Sequence, residues 1–107
     1  MNKLVISPEA ARDLEKINQY IIYELKNPSA ARQVVRSITK DLRILEHYAE
    51  AGPSVAALTG YSSDLRILVS ENYIAAYKVE GNTVLVARVI NARQDYINVL
   101  FGDNISP

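Results

Sequence analysis

Residues 65–90 read LRILVSENYIAAYKVEGNTVLVARVI. Three apolar runs, 65–69, 73–79 and 83–90, are separated by Glu71-Asn72 and by Glu80-Gly81-Asn82. Short runs rich in β-branched and aromatic residues, divided by residues that tolerate positive φ, predict a three-stranded meander. The last run, TVLVARVI, is apolar on both faces apart from Arg88. A strand of that kind belongs in the middle of a sheet. Alternation puts Arg88 and Ile90 on one face and Val89 on the other.

Upstream the period changes. Lys3-Leu4-Val5-Ile6 suits a strand closed by Ser7-Pro8. Ser7 then fits a helix N-cap, with Pro8 at the first helical position and Glu9 near the positive end of the dipole. Ala11, Leu14, Ile17, Ile21 and Leu25 form one stripe, predicting a helix over 8–25. Lys26-Asn27-Pro28 breaks it, and Asn27 caps a second helix. Its stripe runs through Ala31, Val34, Val35, Ile38, Leu42, Leu45 and Ala49 to the stop at Gly52-Pro53. So short a link folds the two helices back as an antiparallel hairpin. Residues 53–64 read as irregular, 91–101 as a loop into a short helix or irregular tail, and 103–107 as a frayed end.

The expected fold class is therefore α+β. An N-terminal strand joins the meander in a small four-stranded sheet, the helical hairpin packs on one face, and a short C-terminal segment follows. The other face is expected to stay partly open. At 107 residues and 49% hydrophobic, residues 1–107 make one globular domain. The start, MNKLVISPEAARDLE, becomes charged too early for a signal peptide or a membrane span, so cytoplasm is the expected location.

Composition removes several kinds of chemistry. No cysteine means no disulfide, thiol nucleophile or Cys-ligated metal, and His47 is the one histidine. No metal-ligand or phosphate-loop motif is present, so no metal and no cofactor is expected. Ser62-Ser63-Asp64 reads as a turn, and His47 as a solvent-side residue. Twelve basic residues balance twelve acidic ones. The hairpin is balanced too, which predicts a solvated outer face rather than a nucleic-acid surface.

The remaining candidates are arginines and tyrosines. Arg66 and Arg88 interrupt apolar strands, and Arg93 and Tyr96 lie in NARQDY directly after the last strand. Arginine at a strand end can clamp a phosphate with its planar fork, and tyrosine beside it can stack. Each arginine also has a structural reading as half of an ion pair, Arg93 with Asp95 for example. Tyr73 and Tyr77 share a strand face and are expected under the helices. Tyr20 and Tyr23 on the first helix suit the rim of a protein interface.

The ordered set VISPEAARDLEKINQYI, AARQVVRSITKDLRILEHYAEAG, LRILVSENYIAAYKVEGNTVLVARVI and NARQDY resembles the RelE/ParE superfamily of type II toxin–antitoxin systems, over about residues 3–101. The resemblance implies a four-stranded antiparallel sheet behind an N-terminal helical hairpin. It also implies a growth-arresting toxin neutralised by a cognate antitoxin, with operator DNA touched only through that antitoxin.

The superfamily has two branches. RelE-like members cut mRNA on the ribosome without a metal; ParE-like members poison DNA gyrase. In the nuclease branch Arg66, Arg93 and Tyr96 would be catalytic. Asn91, however, stands where many members have histidine or arginine, and residues 53–65 contain no basic residue. A phosphorane-like transition state needs several cations. With the long helices, these departures favour the ParE-like branch. The target- or antitoxin-binding candidates are then Tyr20, Tyr23, Arg66, Arg88, Asn91, Arg93 and Tyr96. An inactive relative that only binds protein is the third reading.

Overall fold

A computed structural model describes residues 1–94 and 96–102. The chain runs β1 (Lys3–Ile6), α1 (Pro8–Tyr23), α2 (Pro28–Leu42), a 3-10 turn (Arg43–Glu46), α3 (Val55–Thr59), β2 (Arg66–Ser70), β3 (Tyr73–Glu80), β4 (Thr83–Asn91) and α4 (Tyr96–Phe101). The strands form one sheet in the order β1-β4-β3-β2. The run that is apolar on both faces, β4, thus occupies an inner position, as its composition requires.

Local chemistry explains the helix starts. The Ser7 hydroxyl accepts the Ala10 amide at 3.0 Å, and the Asn27 side chain accepts the Ala30 amide at 3.1 Å. Each is followed by a proline, whose missing N–H is not needed in the first turn. The second helix is shorter than its stripe suggests. After Leu42 the backbone tightens into 3-10 geometry, which stacks residues three apart and keeps both Leu42 and Leu45 buried.

The sheet is mixed, which corrects the expectation of an all-antiparallel one. The β2–β3–β4 meander is antiparallel, but β1 runs parallel to β4, with Ile6 opposite Val86. Parallel pairing needs a long crossover, and the helices with β2 and β3 supply it. The other edge is occupied near Arg66, where Ser54 bridges to Arg66 and the Ile67 amide donates to the Pro53 carbonyl at 3.0 Å.

The second correction concerns the face away from the hairpin. It is covered by α3 and α4. Val55, Ile67, Ile74, Ala76 and Ile90 form a buried cluster there, with Leu65, Tyr96, Val99, Leu100 and Phe101 packed against it. The signal for α3 was present in Ser54, whose hydroxyl accepts the Ala57 amide, and in Gly60, whose φ of 79° ends the helix. Only five residues separate those signals, too few for a visible period. The larger core lies under the hairpin and joins Ala10, Ile38, Leu42, Leu45, Ala75, Tyr77, Val84, Val86 and Val89, with Tyr73 packed beside it.

A bulge sets which β4 residues reach that core. Ala76 pairs with Arg88 but Tyr77 with Val86, so Ala87 is unopposed. The extra residue shifts the alternation, so that Val84, Val86 and then Val89 all face the helices.

Candidate functional site

The bulge lies where β1 ends. Beyond Val86, β4 continues to Asn91 with no strand of the described residues on its outer side, and α1 runs beside it instead. An open strand edge leaves main-chain groups unpaired. Here side chains take up several of them. Ser7 Oγ donates to the Ala87 carbonyl at 2.9 Å while it caps α1. Asp13 Oδ2 accepts the Val89 amide at 2.9 Å, and Gln94 Oε1 accepts the Asn91 amide at 3.2 Å.

Between α1 and this strand end lies a cleft of about 550 Å³. Asp13, Lys16, Ile17 and Tyr20 line it from α1, Tyr73 from β3, and Arg88 to Asn91 from β4, with Arg93, Gln94 and Val99 closing the end. Arg88 is anchored. Its Nε donates to Asp13 Oδ2 at 2.7 Å and one terminal nitrogen donates to Oδ1 at 3.1 Å. That hydrogen-bonded carboxylate raises the guanidinium's already high pKa. Arg88 is therefore half of an ion pair, which was its structural reading. Its partner Asp13 was missed, because nothing local marks one helix-surface carboxylate among several.

Arg93 differs. Its amide donates to Asn91 Oδ1 at 2.8 Å, which turns the chain over the cleft mouth. Among the described residues its exposed side chain takes part in no ion pair, and Asp95, the acid suggested for it, lies outside them. Tyr73 is partly desolvated and stands near Tyr20, and both effects raise its phenol pKa. Tyr20 and Tyr23 are 55% and 71% exposed at the end of α1, beside an equally open Leu25. These three side chains add apolar surface at the end of α1.

The three residues expected to act together as a nuclease centre do not converge. Register places Arg66 level with Tyr77 and Val86, and Asn91 level with Tyr73 and Ser70. Those rows are four residues apart along β2, roughly 13 Å at about 3.3 Å per residue. Arg66 donates to the Gly52 carbonyl at 2.7 Å, and Tyr77 Oη accepts the Gly52 amide at 2.9 Å. Tyr96 packs in the cluster on the opposite face of the sheet. Tyr20, Arg88, Asn91 and Arg93 share the cleft; Arg66 and Tyr96 do not line it. His47 ends the 3-10 turn, with its ring near Tyr48. Among the described residues no group of three or more His, Cys, Asp or Glu could hold a metal ion.

Over residues 4–96 the chain matches the family described as "ParE toxin of type II toxin-antitoxin system, parDE". It belongs to the ParE toxin family. A solved structure titled "Chromosomal ParDE TA system from P. aeruginosa" shares the fold, with a TM-score of 0.72 at 24% identity over 85% of this chain and 96% of that one. No curated protein sequence matches it. The cleft presents the cations, amides and phenols of its lining residues beside the apolar side chains of Ile17, Val89, Ile90 and Val99. No helix among the described residues is long and apolar enough to cross a membrane.

Proposed function

We propose that this ParE-family chain is a growth-arresting toxin that acts by binding DNA gyrase and is neutralised by a cognate antitoxin, both in the cytoplasm. The observation that carries the choice over an mRNA endonuclease is the separation of the Arg66 row from the Asn91 row, two residues before Arg93, with Arg66 bonded to the Gly52 carbonyl. Phosphoryl transfer without a metal requires several cations and a proton carrier within reach of one phosphate. The cleft holds Lys16 and Arg93 beside the paired Arg88 and has no histidine. The antitoxin segment is best placed across Tyr20 and Tyr23 into the cleft. An extended or helical peptide folding as it binds would bury those phenols and meet Arg93. Operator DNA is reached through the antitoxin.

Pulse labelling after induction without antitoxin tests this reading. Thymidine incorporation should fall before leucine incorporation. An earlier collapse of leucine incorporation would make the ribosome the target and overturn it.

A further inference from the structure

The charge balance of the hairpin is a sum over both helices and hides how the charges are distributed. On α2, Arg32, Arg36 and Lys40 recur every fourth residue and are all exposed. The residues three and four positions away from them are Pro28, Ser29, Gln33, Val35, Ser37, Thr39, Arg43 and Ile44, besides one another. None is acidic, so no neighbour on the helix face compensates the row. Asp41, the acid within α2, turns away and accepts the Ser70 hydroxyl at 2.6 Å. Arg43 is paired with Glu46 at 3.5 Å, but among the described residues no ion pair engages Arg32, Arg36 or Lys40. Ser29, Gln33 and Ser37 line a shallow groove with the three cations.

We propose that this face of α2 binds the phosphate backbone of duplex DNA without reading its sequence. A helix rises about 1.5 Å per residue and turns about 100°, so the three cations stand about 6 Å apart along the axis, each turned about 40° from the last, in a gently inclined row. A duplex presents about one charge per 1.7 Å of axis, and its phosphates take contacts from Arg, Lys, Ser, Thr and Gln. The exposed α2 residues are Pro28, Ser29, Arg32, Gln33, Arg36, Thr39 and Lys40, and exposed Ile44 and Tyr48 follow beyond the helix. Within α2 no large apolar side chain, which a protein interface core needs, and no aromatic, on which a single strand would stack, is exposed. The aromatic end of α1 provides the contrasting protein-type surface on the same hairpin. This inference is independent of which target the toxin has.

Fluorescence anisotropy with a labelled duplex of mixed sequence tests it on the full chain. Three phosphate contacts give a log–log salt slope of about −2.7, so affinity should fall roughly forty-fold between about 50 and 200 mM salt. The triple variant Arg32→Gln, Arg36→Gln, Lys40→Gln should lose at least about tenfold at low salt, since it removes all three contacts. The variant Lys3→Gln, Arg12→Gln, Lys26→Gln lowers net charge equally at exposed sites elsewhere and should bind like the wild type. Thermal melts by circular dichroism should be alike for all three. No binding by the wild type at low salt overturns the proposal. So does equal loss in the two variants, or displacement of the duplex by an acidic peptide or by single strands at equal charge.

Discussion

Asp13 and Arg88, 75 residues apart, form a two-point ion pair at 2.7 and 3.1 Å, and the same carboxylate accepts the Val89 amide at 2.9 Å. One side chain of α1 thus neutralises the cation of β4 and closes the strand edge that β1 leaves open. It also fixes the wall of the cleft.

That double duty separates two substitutions. Asp13→Asn keeps an acceptor for Val89 and loses the charge; Asp13→Ala loses both. A partly exposed ion pair is worth under about 1 kcal/mol after screening, whereas an amide left unsatisfied costs about 1–3 kcal/mol. Asp13→Ala should therefore lower Tm by clearly more than Asp13→Asn, at about 4–8 °C per kcal/mol for a domain of this size. Differential scanning calorimetry gives the comparison, and equal Tm values would remove the strand-edge role of Asp13.

Gly52 is held by its surroundings from both sides. A Cβ there would lie 2.0 Å from the Ile67 carbonyl oxygen and 3.1 Å from the Tyr77 hydroxyl. The close atom is backbone and cannot step aside. Gly52→Ala should cost about 3 kcal/mol or more, in the range of severe overpacking, seen as a lowered urea midpoint or as insoluble protein.

Tyr77 links the same contact to pH. Burial raises its phenol pKa above 10, against the smaller lowering effects of the Gly52 amide and of Arg66. A raised folded-state value means stability is fully present below about pH 10 and falls as pH rises through the folded value. Tyr77→Phe should lose about 1 kcal/mol at neutral pH with the Gly52 hydrogen bond. It should also flatten the alkaline limb of a stability–pH curve. An unchanged limb would move the alkaline loss from Tyr77 to the other raised groups, Tyr73 and Lys78.

Arg66 and Arg93 are expected to behave oppositely. Arg66→Ala breaks a hydrogen bond from a charged donor to Gly52, worth about 1.5–3 kcal/mol where buried and less at this half-buried site. It should lower Tm while growth arrest persists wherever the chain stays folded. Arg93→Ala removes an exposed side chain with no ion-pair partner among the described residues, so stability should stay within about 0.5 kcal/mol of wild type. Growth arrest or antitoxin affinity should weaken. Paired melts and plating after induction read both effects.

Much of this architecture is legible in one dimension because its causes are local. Ser7-Pro8 and Asn27-Pro28 start helices wherever the chain goes, and Gly81, at a φ of 58°, sits in a two-residue hairpin loop between Glu80 and Thr83. The apolar faces of β4 demanded neighbours on both sides. Tyr73 and Tyr77 were bound to share a face by period alone, and both pack toward the helices.

The site was legible only as a set of residue types. Arg88 declared that it needed a carboxylate, but which one depended on α1 running beside β4, and Asp13 looks like any other acid on that helix. Arg66 looked available because its acceptor is a main-chain carbonyl, which every residue carries. The bulge at Ala87, which redirects Val89, has no residue of its own to announce it. The parallel sense of β1 was equally hidden, since four residues pair either way and a distant edge made the choice.

The amino-acid sequence by itself determined the two long helices, the four strands, their order and the absence of thiol chemistry. Each follows from one residue type or from periodicity over a few turns. The tertiary structure alone decided that Arg66 reaches the Gly52 carbonyl and that Tyr96 packs against a second core. It also decided that Asp13 guards a strand edge and that the cations of α2 stand uncompensated. Each of those facts is a distance between residues far apart in the chain, set only once the sheet and hairpin have packed.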